Sequence, residues 1–383
     1  MDLALSDADI AFRDHVREWL RTNVPAEPLA SLETAEGFEQ HRAWEQRLHA
    51  AGLSAVSWPR EYGGAEATLL QWVLFEEEYY AAGAPGRVSQ NGLFLLAPTL
   101  LQNGTDEQRA RILPEIAAGT EIWAQAWSEP GAGSDLAGLR SSARRTDGGW
   151  LLSGLKTWSS RAAFADRAFG LFRTDPEQQR HRGLSYFMFP LDAPGVTVRP
   201  IQRLDGKPAF AELALDEVFV PDADVIGTPG DGWRIAMSTA SNERGLTLRS
   251  PGRFLATARD LLREPGALDD TPTGERVVDA WIDAQAYRLA TFETVTKIAE
   301  GGQVGAEASL NKLFWSELDL ELHELGLRLQ GPLAELTGPD APAAGRWQDG
   351  HLFALAGPIY AGTNEVQRNV AAERLLGLPK GAR

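Results

Sequence analysis

Cysteine is absent from this chain of 383 residues. Disulfide bonds, zinc–thiolate centres and a cysteine nucleophile are therefore excluded. A chain without cysteine fits a reducing compartment, and we predict a cytoplasmic protein. Histidine is also scarce, because the chain has only 6 histidines and none of them shows metal-ligand spacing. We therefore predict no metal site.

Positive charge is in deficit. The chain has 37 Lys and Arg against 53 Asp and Glu, which gives a formal net charge of −16. Repulsion disfavours nucleic acid and anionic membranes as partners, and a polyanionic ligand would need local cationic residues. The longest apolar runs, such as residues 69–75, fall far short of the roughly 20 residues that span a bilayer. The acidic N-terminus predicts no signal peptide, so we expect no membrane partner.

The spacing of the apolar residues changes twice along the chain. It is helical at first, alternates with a period of two in the middle, and then becomes helical again. We predict a mostly α, α+β fold with an N-terminal helical domain at residues 1–120, a middle β-domain at 121–228 and a C-terminal helical domain at 229–383.

Local signals mark individual elements. Ser6 with Asp9 and Thr105 with Gln108 are typical of capping boxes that begin helices. The three glutamates at residues 76–78 predict a solvated helix face. Alternating apolar residues predict five short strands, at residues 150–153, 168–172, 184–189, 196–198 and 212–215.

One stretch of the β-domain combines glycine, serine and tryptophan. It reads Trp-Ser-Glu-Pro-Gly-Ala-Gly-Ser-Asp at residues 127–135, and Lys-Thr-Trp-Ser-Ser follows at 156–160. Gly131 and Gly133 predict a tight turn that a pyrophosphate could approach, because glycine lacks a Cβ and tolerates positive φ. Taken alone, the same turn could be an ordinary surface loop.

The side chains of this stretch suit a flavin. Trp127 and Trp158 offer flat apolar faces that could stack on an isoalloxazine ring. Ser159 and Ser160 could form hydrogen bonds with its polar edge.

Together these segments resemble the signature of the acyl-CoA dehydrogenase family. The resemblance runs from Trp-Pro-Arg-Glu-Tyr-Gly-Gly at residues 58–64 to Tyr-Ala-Gly-Thr-Asn-Glu-Val-Gln-Arg at 360–368, nearly the whole chain. It implies FAD as the cofactor, an acyl-CoA substrate and an electron-transferring flavoprotein as the electron acceptor. It also implies a homo-oligomer, a dimer or tetramer, held together by the C-terminal helices.

The resemblance implies two sets of site residues. The residues implied for cofactor binding are Gln125, Trp127, Ser128, Gly133, Ser134, Trp158, Ser159, Ser160, Arg328, Gly331, Thr363 and Glu365. The residues implied for substrate binding are Ser134, Arg244, Ala361 and Gly362.

The catalytic base departs from the commonest family pattern. Dehydrogenation of a thioester needs a carboxylate that removes the α-proton, and hydrogen bonds that hold the carbonyl as it gains enolate character. Many family members have a glutamate where this chain has Ala361, and alanine cannot take a proton. A subset places the glutamate on a helix after the β-domain, which here corresponds to Glu243 beside Arg244. The backbone N–H of Ala361 could still bind the carbonyl. Alternatively, Glu243 pairs with Arg244 or Arg249 on a solvated helix.

Two other positions and one segment also differ from the family pattern. Arg328 and Glu365 stand where glutamine is usual. An Arg-x-x-Phe-Gly segment that reaches the neighbouring subunit's FAD in many relatives is missing, although Arg259 or Arg263 could replace its arginine. Some relatives without a complete site form α2β2 heterotetramers, so a related partner subunit stays possible.

The sequence leaves two other functions possible and does not fix the kind of acyl group. The fold could support flavin monooxygenase or oxidase chemistry, or the chain could be a non-catalytic subunit of a heteromeric dehydrogenase. Gly92, with Leu93 and Leu96, would line the acyl pocket, and a glycine there suggests room for a branched or ring-bearing acyl group.

Overall fold

The structure is a computed structural model that describes residues 4–244, 250–302 and 304–380, with side chains described at all of these positions except 241–244 and 339. The chain divides into two compact units. Unit 1 combines the described parts of Met1–Val24, Thr68–Ala84 and Arg244–Arg383. Unit 2 combines Pro25–Ala67 and Pro85–Glu243.

Helices and strands follow one another in the order helical, sheet, helical. The α-helices are α1 (Asp7–Asn23), α2 (Ala35–Ala50), α3 (Leu69–Ala81), α4 (Ala97–Asn103), α5 (Asp106–Ala118), α6 (Gly232–Arg244), α7 (Pro251–Leu261), α8 (Pro272–Ala299), α9 (Ala308–Gln330), α10 (Arg346–Ala354) and α11 (Asn364–Arg374). The strands are β1 (Trp123–Ala126), β2 (Ser142–Thr146), β3 (Gly149–Ser160), β4 (Arg167–Arg173), β5 (Leu184–Pro190), β6 (Val196–Ile201), β7 (Phe210–Pro221) and β8 (Val225–Ile226). A π-helical turn, Gly92–Leu96, precedes α4.

The sheet of unit 2 is mainly antiparallel. Its strand order is β6-β7-β3-β2-β4-β5-β8, and β1 pairs with β4. Only the β1–β4 and β2–β4 pairings are parallel in the described sheet. Trp150, Phe172, Phe187 and Phe189 are among the side chains that fill its core. The sheet therefore gives the 127–135 turn, which follows β1, a rigid support.

The helices of unit 1 pack around a second core. Phe254 of α7, Tyr287 of α8, and Leu322 and Trp347 of α9 and α10 belong to one buried cluster. None of the helices in the described ranges combines the length and apolar character that crossing a bilayer would require.

Several local predictions are confirmed. Ser6 with Asp9 begins α1 as a capping box, and Thr105 with Gln108 begins α5 in the same way. All five predicted strands are present, as parts of β3, β4, β5, β6 and β7. The prediction missed β1, β2 and β8, which have 4, 5 and 2 residues, because strands this short carry little alternation.

The prediction of a solvated face at residues 76–78 is wrong. Glu76 is buried. Glu77 accepts hydrogen bonds from Arg288 of α8 at 2.5 and 3.1 Å, and Glu78 accepts hydrogen bonds from Arg17 of α1 at 2.6 and 2.9 Å. These glutamates are paired because α3 lies between other helices of unit 1 instead of at its surface.

Candidate active site

The 127–135 turn is closed by its own backbone. The amide of Glu129 donates to the carbonyl of Ala132 at 3.1 Å, and the amide of Ala132 donates back at 3.0 Å. Gly131 and Gly133 are exposed, and no described atom lies within 4 Å of the place where a Cβ would stand on either. Neither glycine has a positive φ, so the turn uses their lack of a Cβ and not their conformational freedom. The glycines keep the turn open, which is what the approach of a phosphate requires.

The end of β3 presents an aromatic face next to buried polar groups. Trp158 is 60% exposed and has a φ of 60°, a left-handed conformation that is uncommon outside glycine. Its ring meets Phe210 edge-on at 5.9 Å. Ser159 is fully buried, and among the described residues its Oγ has no hydrogen-bond partner; the same holds for Nε2 of Gln125. Ser160 is half-buried.

Buried polar groups that lack a described partner, in the same sheet as an exposed indole, fit a ring system with a hydrogen-bonding edge. A buried hydroxyl or amide without a partner costs free energy, and a ligand that bonds it recovers that cost. Gln125 and Ser159 therefore match the chemistry of an isoalloxazine edge, and Trp158 offers the surface on which such a ring could stack.

Hydrogen bonds join the 127–135 turn to the 156–160 segment and to β5. The amide of Thr157 donates to the carbonyl of Ser128 at 2.9 Å. The indole Nε1 of Trp127 donates to the Tyr186 hydroxyl at 3.1 Å, and the two rings meet edge-on at 6.2 Å. Trp127 is half-buried and held in place, whereas Gly133 and Ser134 are exposed.

A buried ion pair lies beneath the turn, and its two residues are not among the predicted site residues. Lys156 is fully buried, and its Nζ donates to Glu129 Oε1 at 2.8 Å, to the carbonyl of Leu171 at 2.7 Å and to that of Trp127 at 3.3 Å. Glu129 also accepts hydrogen bonds from the amides of Arg140 and Ser141, at 2.7 and 2.9 Å. Position 129 lies inside the turn, and position 156 begins the Lys-Thr-Trp-Ser-Ser segment. A pairing of their opposite charges could therefore have been predicted from the sequence.

The environment shifts the pKa of both partners. Burial lowers the pKa of Lys156 to about 8, although the charge of Glu129 acts in the opposite direction. For Glu129, burial alone would raise the pKa, but the Lys156 charge and the hydrogen bonds from Lys156, Arg140 and Ser141 lower it overall. At neutral pH both groups are charged, so the turn rests on a satisfied ion pair.

The predicted base lies at the last turn of α6. The backbone of α6 is described through Arg244, whereas the side chains of Glu243 and Arg244 lie outside the described part, as does Arg249. One turn earlier, Thr239 is fully buried and lies 2.7 Å from the Thr99 hydroxyl and 3.4 Å from that of Tyr186. Glu243 as the base, and Arg244 as a substrate ligand, stay predictions.

The remaining predicted site residues belong to unit 1. Arg328 donates to Glu324 at 2.6 and 3.1 Å, and Gly331 follows the end of α9 with a φ of 55°. Thr363 caps α11 by accepting a hydrogen bond from the Val366 amide at 3.2 Å. These contacts satisfy the side chains within unit 1 and leave their roles towards a cofactor as predictions.

The segment around Ala361 has an unusual backbone. Ala361 has a φ of 57° and Gly362 a φ of 79°, both left-handed. Nε2 of Gln367 donates to the carbonyls of Ala361 and Gly362, at 3.2 and 3.3 Å. Glu365 is exposed in the first turn of α11 and lies 3.8 Å from Arg368. A non-glycine residue in this conformation is strained, and such strain is common at functional sites.

The room predicted beside Gly92 is taken up by neighbouring side chains. A Cβ at Gly92 would lie 3.0 Å from Ile116 Cγ2 and 3.6 Å from the Trp123 ring. Gly92 therefore allows close packing between the π-helical turn and its neighbours in unit 2, and the missing side chain leaves no room for an acyl group.

Three family models match the chain in succession. The acyl-CoA dehydrogenase N-terminal domain matches residues 6–120, the middle domain matches 124–218 and the C-terminal domain matches 230–376. The chain belongs to the acyl-CoA dehydrogenase family. It has the three-part fold of that family, with helical N- and C-terminal regions and a sheet between them.

Named relatives agree over the full length. The acyl-CoA dehydrogenase IpdE1 of Mycobacterium tuberculosis (strain ATCC 25618 / H37Rv) is 42% identical, over 97% of this chain and 98% of its own. A solved structure named Tcur3481-Tcur3483 steroid ACAD is 28% identical with a TM-score of 0.89, and the ChsE4-ChsE5 complex from Mycobacterium tuberculosis is 29% identical with a TM-score of 0.86; both cover 100% of each chain. This protein is an oxidoreductase of the acyl-CoA dehydrogenase type.

For this acyl-CoA dehydrogenase, unit 2 alone carries most of the predicted flavin-facing groups. Gln125 lies on β1, Trp127 directly follows that strand, and Trp158 and Ser159 lie on β3 of the same sheet. Among the described residues, no group of His, Asp and Glu side chains could hold a metal ion.

Proposed function

We propose that this enzyme introduces a trans double bond between the α and β carbons of a ring-bearing acyl-CoA. The observation that carries the proposal is the combination, in unit 2, of an exposed Trp158 face, the Gln125 and Ser159 groups that lack a described partner, and the position of Glu243 in the last turn of α6. An open glycine turn beside that face suits a dinucleotide's phosphates.

FAD is the cofactor, and its flavin supplies the acceptor for the β-hydride. The flavin ring is held by Trp127, Trp158, Ser159, Ser160 and Gln125. The 127–135 turn contributes Ser128, Gly133 and Ser134, which bind the part of FAD next to the ring. Ser134 also contacts the substrate. From unit 1 we assign Arg328, Gly331, Thr363 and Glu365 to the nucleotide of FAD.

Glu243 removes the α-proton. An α-proton of a thioester is far too weak an acid for a carboxylate in water, so the carbonyl must be bound by hydrogen bonds and water must be excluded. The backbone N–H of Ala361 is one such donor, with Gly362 beside it and Arg244 towards the CoA end. Ala361 itself has no side chain that could replace Glu243.

The names of the relatives support the proposed substrate class and partners. The structure at TM-score 0.89 is named a steroid ACAD, which favours a fused-ring acyl group over a straight chain. Both solved structures carry two-component names, which favours a heteromer with a related chain over the homodimer or homotetramer. Electrons pass to an electron-transferring flavoprotein, and the enzyme works in the cytoplasm.

Anaerobic mixing with a panel of acyl-CoAs tests this proposal. The flavin absorbance near 450 nm should bleach with ring-bearing thioesters and less with straight-chain ones, and the product should be two hydrogens lighter by mass. Fast oxygen consumption by the reduced enzyme would instead indicate oxidase or monooxygenase chemistry. If the purified chain binds FAD only after a second chain is added, the heteromer is supported. Bound FAD with no bleaching by any thioester would contradict the proposal.

A further inference from the structure

A buried chain of hydroxyls connects the flavin-facing part of unit 2 to α6. The indole N–H of Trp127 lies 3.1 Å from the Tyr186 hydroxyl, which lies 3.4 Å from that of Thr239. Thr239 lies 2.7 Å from the Thr99 hydroxyl, and Thr99 lies 2.7 Å from the carbonyl of Leu95 in the π-helical turn. Tyr186, Thr239 and Thr99 are all fully buried.

One direction of donation satisfies all four contacts. An indole N–H can only donate, and a carbonyl can only accept. Tyr186 therefore accepts from Trp127 and donates to Thr239, Thr239 donates to Thr99, and Thr99 donates to Leu95. Each of the three hydroxyls then accepts one of these bonds and donates another, so the bonds polarise one another. The Thr239 hydroxyl also lies 3.2 Å from the carbonyl of Ile235 on its own helix, which is a second acceptor for its proton.

The chain of hydroxyls holds α6 at a point close to the predicted base. Thr239 precedes position 243 by four residues, which is about one turn of an α-helix. Two other polar contacts between the described side chains of α6 and α4 lie further from the base along the helix: Arg234 donates to Asn103 at 2.9 Å, and Asn103 donates to Ser238 at 3.4 Å. Thr239 thus joins the last part of α6 both to α4 and, through Tyr186, to the 127–135 turn.

We propose that Tyr186 and Thr239 are positioning residues that hold the end of α6, and with it Glu243, in register with Trp127 at the flavin. They do not touch the reacting atoms and act through Glu243. The inference rests on the proposed function, because it needs Glu243 to be the base. A displacement of about 1 Å at a reacting group can cost up to about a hundredfold in rate.

The test compares Thr239→Val, which removes the hydroxyl at nearly constant shape, with Thr239→Ser, which keeps it. Thr291→Val is the matched control, because Thr291 is buried and its hydroxyl bonds the Tyr287 carbonyl on its own helix at 2.9 Å. Thr239→Val should slow substrate-driven flavin bleaching about tenfold. Thr239→Ser should bleach at nearly the wild-type rate, and Thr291→Val should leave the rate unchanged.

Hydrogen–deuterium exchange in the flavin-free protein gives a second readout. Loss of one buried hydrogen bond should speed exchange about fivefold in the peptide covering 232–244, and not elsewhere in unit 2. Tyr186→Phe should have the same effects on bleaching and on exchange. The double variant should bleach the flavin no more slowly than the slower of the two single variants, because both residues belong to the same chain of hydroxyls.

The outcomes separate the inference from the proposed function. Wild-type bleaching and exchange in Thr239→Val would overturn the inference and leave the function intact. Faster exchange throughout unit 2 would also overturn it, since the hydroxyl would then have only a general structural role. Wild-type bleaching in Glu243→Gln would instead remove the base assignment on which the inference rests.

Discussion

Lys156 supports the 127–135 turn from the interior of unit 2. Its ammonium group is buried, bonded to Glu129 and to two backbone carbonyls, and lies 4.7 Å from the centre of the Phe172 ring. Burying such a pair is costly, but removing one partner costs more, because the other charge is then left uncompensated.

Lys156→Met should therefore lower the free energy of unfolding by about 3–5 kcal/mol. The double variant Lys156→Met/Glu129→Gln should be less destabilised than the sum of the single variants, because the stranded charge is gone. Urea unfolding of the flavin-free protein measures this. Arg144→Ala is the control, because Arg144 pairs with Glu217 at the surface, and it should cost less than about 1 kcal/mol. An equal loss of unfolding free energy in Lys156→Met and Arg144→Ala would show that the buried pair has no special role.

His323 predicts a pH dependence of stability. Burial lowers its pKa below the ordinary value of 6.5, although Asp319 opposes the shift. Below pH 6.5 the unfolded chain binds a proton that the folded protein does not, so stability falls as the pH falls through that value. His323→Gln should reduce this slope, by up to about 1.4 kcal/mol per pH unit, in urea unfolding between pH 7 and 5.5. The same change at exposed His15 should leave it unaltered; equal slopes in all three proteins would rule out this role.

At the scale of elements, local patterns were the most predictable features. The capping boxes of α1 and α5 and the alternation in β3 to β7 each depend on residues close in sequence. The surroundings of α3 were not predictable, since Glu77 pairs with Arg288, 211 positions away. Three adjacent glutamates look solvated until the helices that pair with them are known.

The packing of α9 against α10 gives a prediction at this scale. A Cβ at Gly326 would lie 2.2 Å from Cδ2 of Trp347, which is fully buried. Gly326→Ala should destabilise the protein by about 1–3 kcal/mol despite the better helix propensity of alanine, because overpacking outweighs it. Gly131→Ala, at an open position, should change the melting temperature little. A more stable Gly326→Ala protein would show that this contact relaxes freely.

At the scale of the whole molecule, the resemblance predicted the family and the three-part fold, because its motifs span nearly the entire chain. The supports of the site were not predictable. Tyr186 contacts Trp127 across 59 positions, and Thr239 contacts Thr99 across 140. One sequence gives no sign of such pairings, because hydroxyl residues are common and only the folded sheet and helices bring these together.

In the proposed mechanism Glu243 takes the α-proton, because Ala361 stands where many family members have a glutamate. The most direct test mixes a ring-bearing acyl-CoA anaerobically with wild type, Glu243→Gln and the control Glu217→Gln, which changes an exposed glutamate of the β-domain. We predict bleaching at 450 nm by wild type and the control, and a rate at least about a thousandfold lower in Glu243→Gln with the flavin still bound. Equal rates of bleaching by all three proteins would rule out Glu243 as the base.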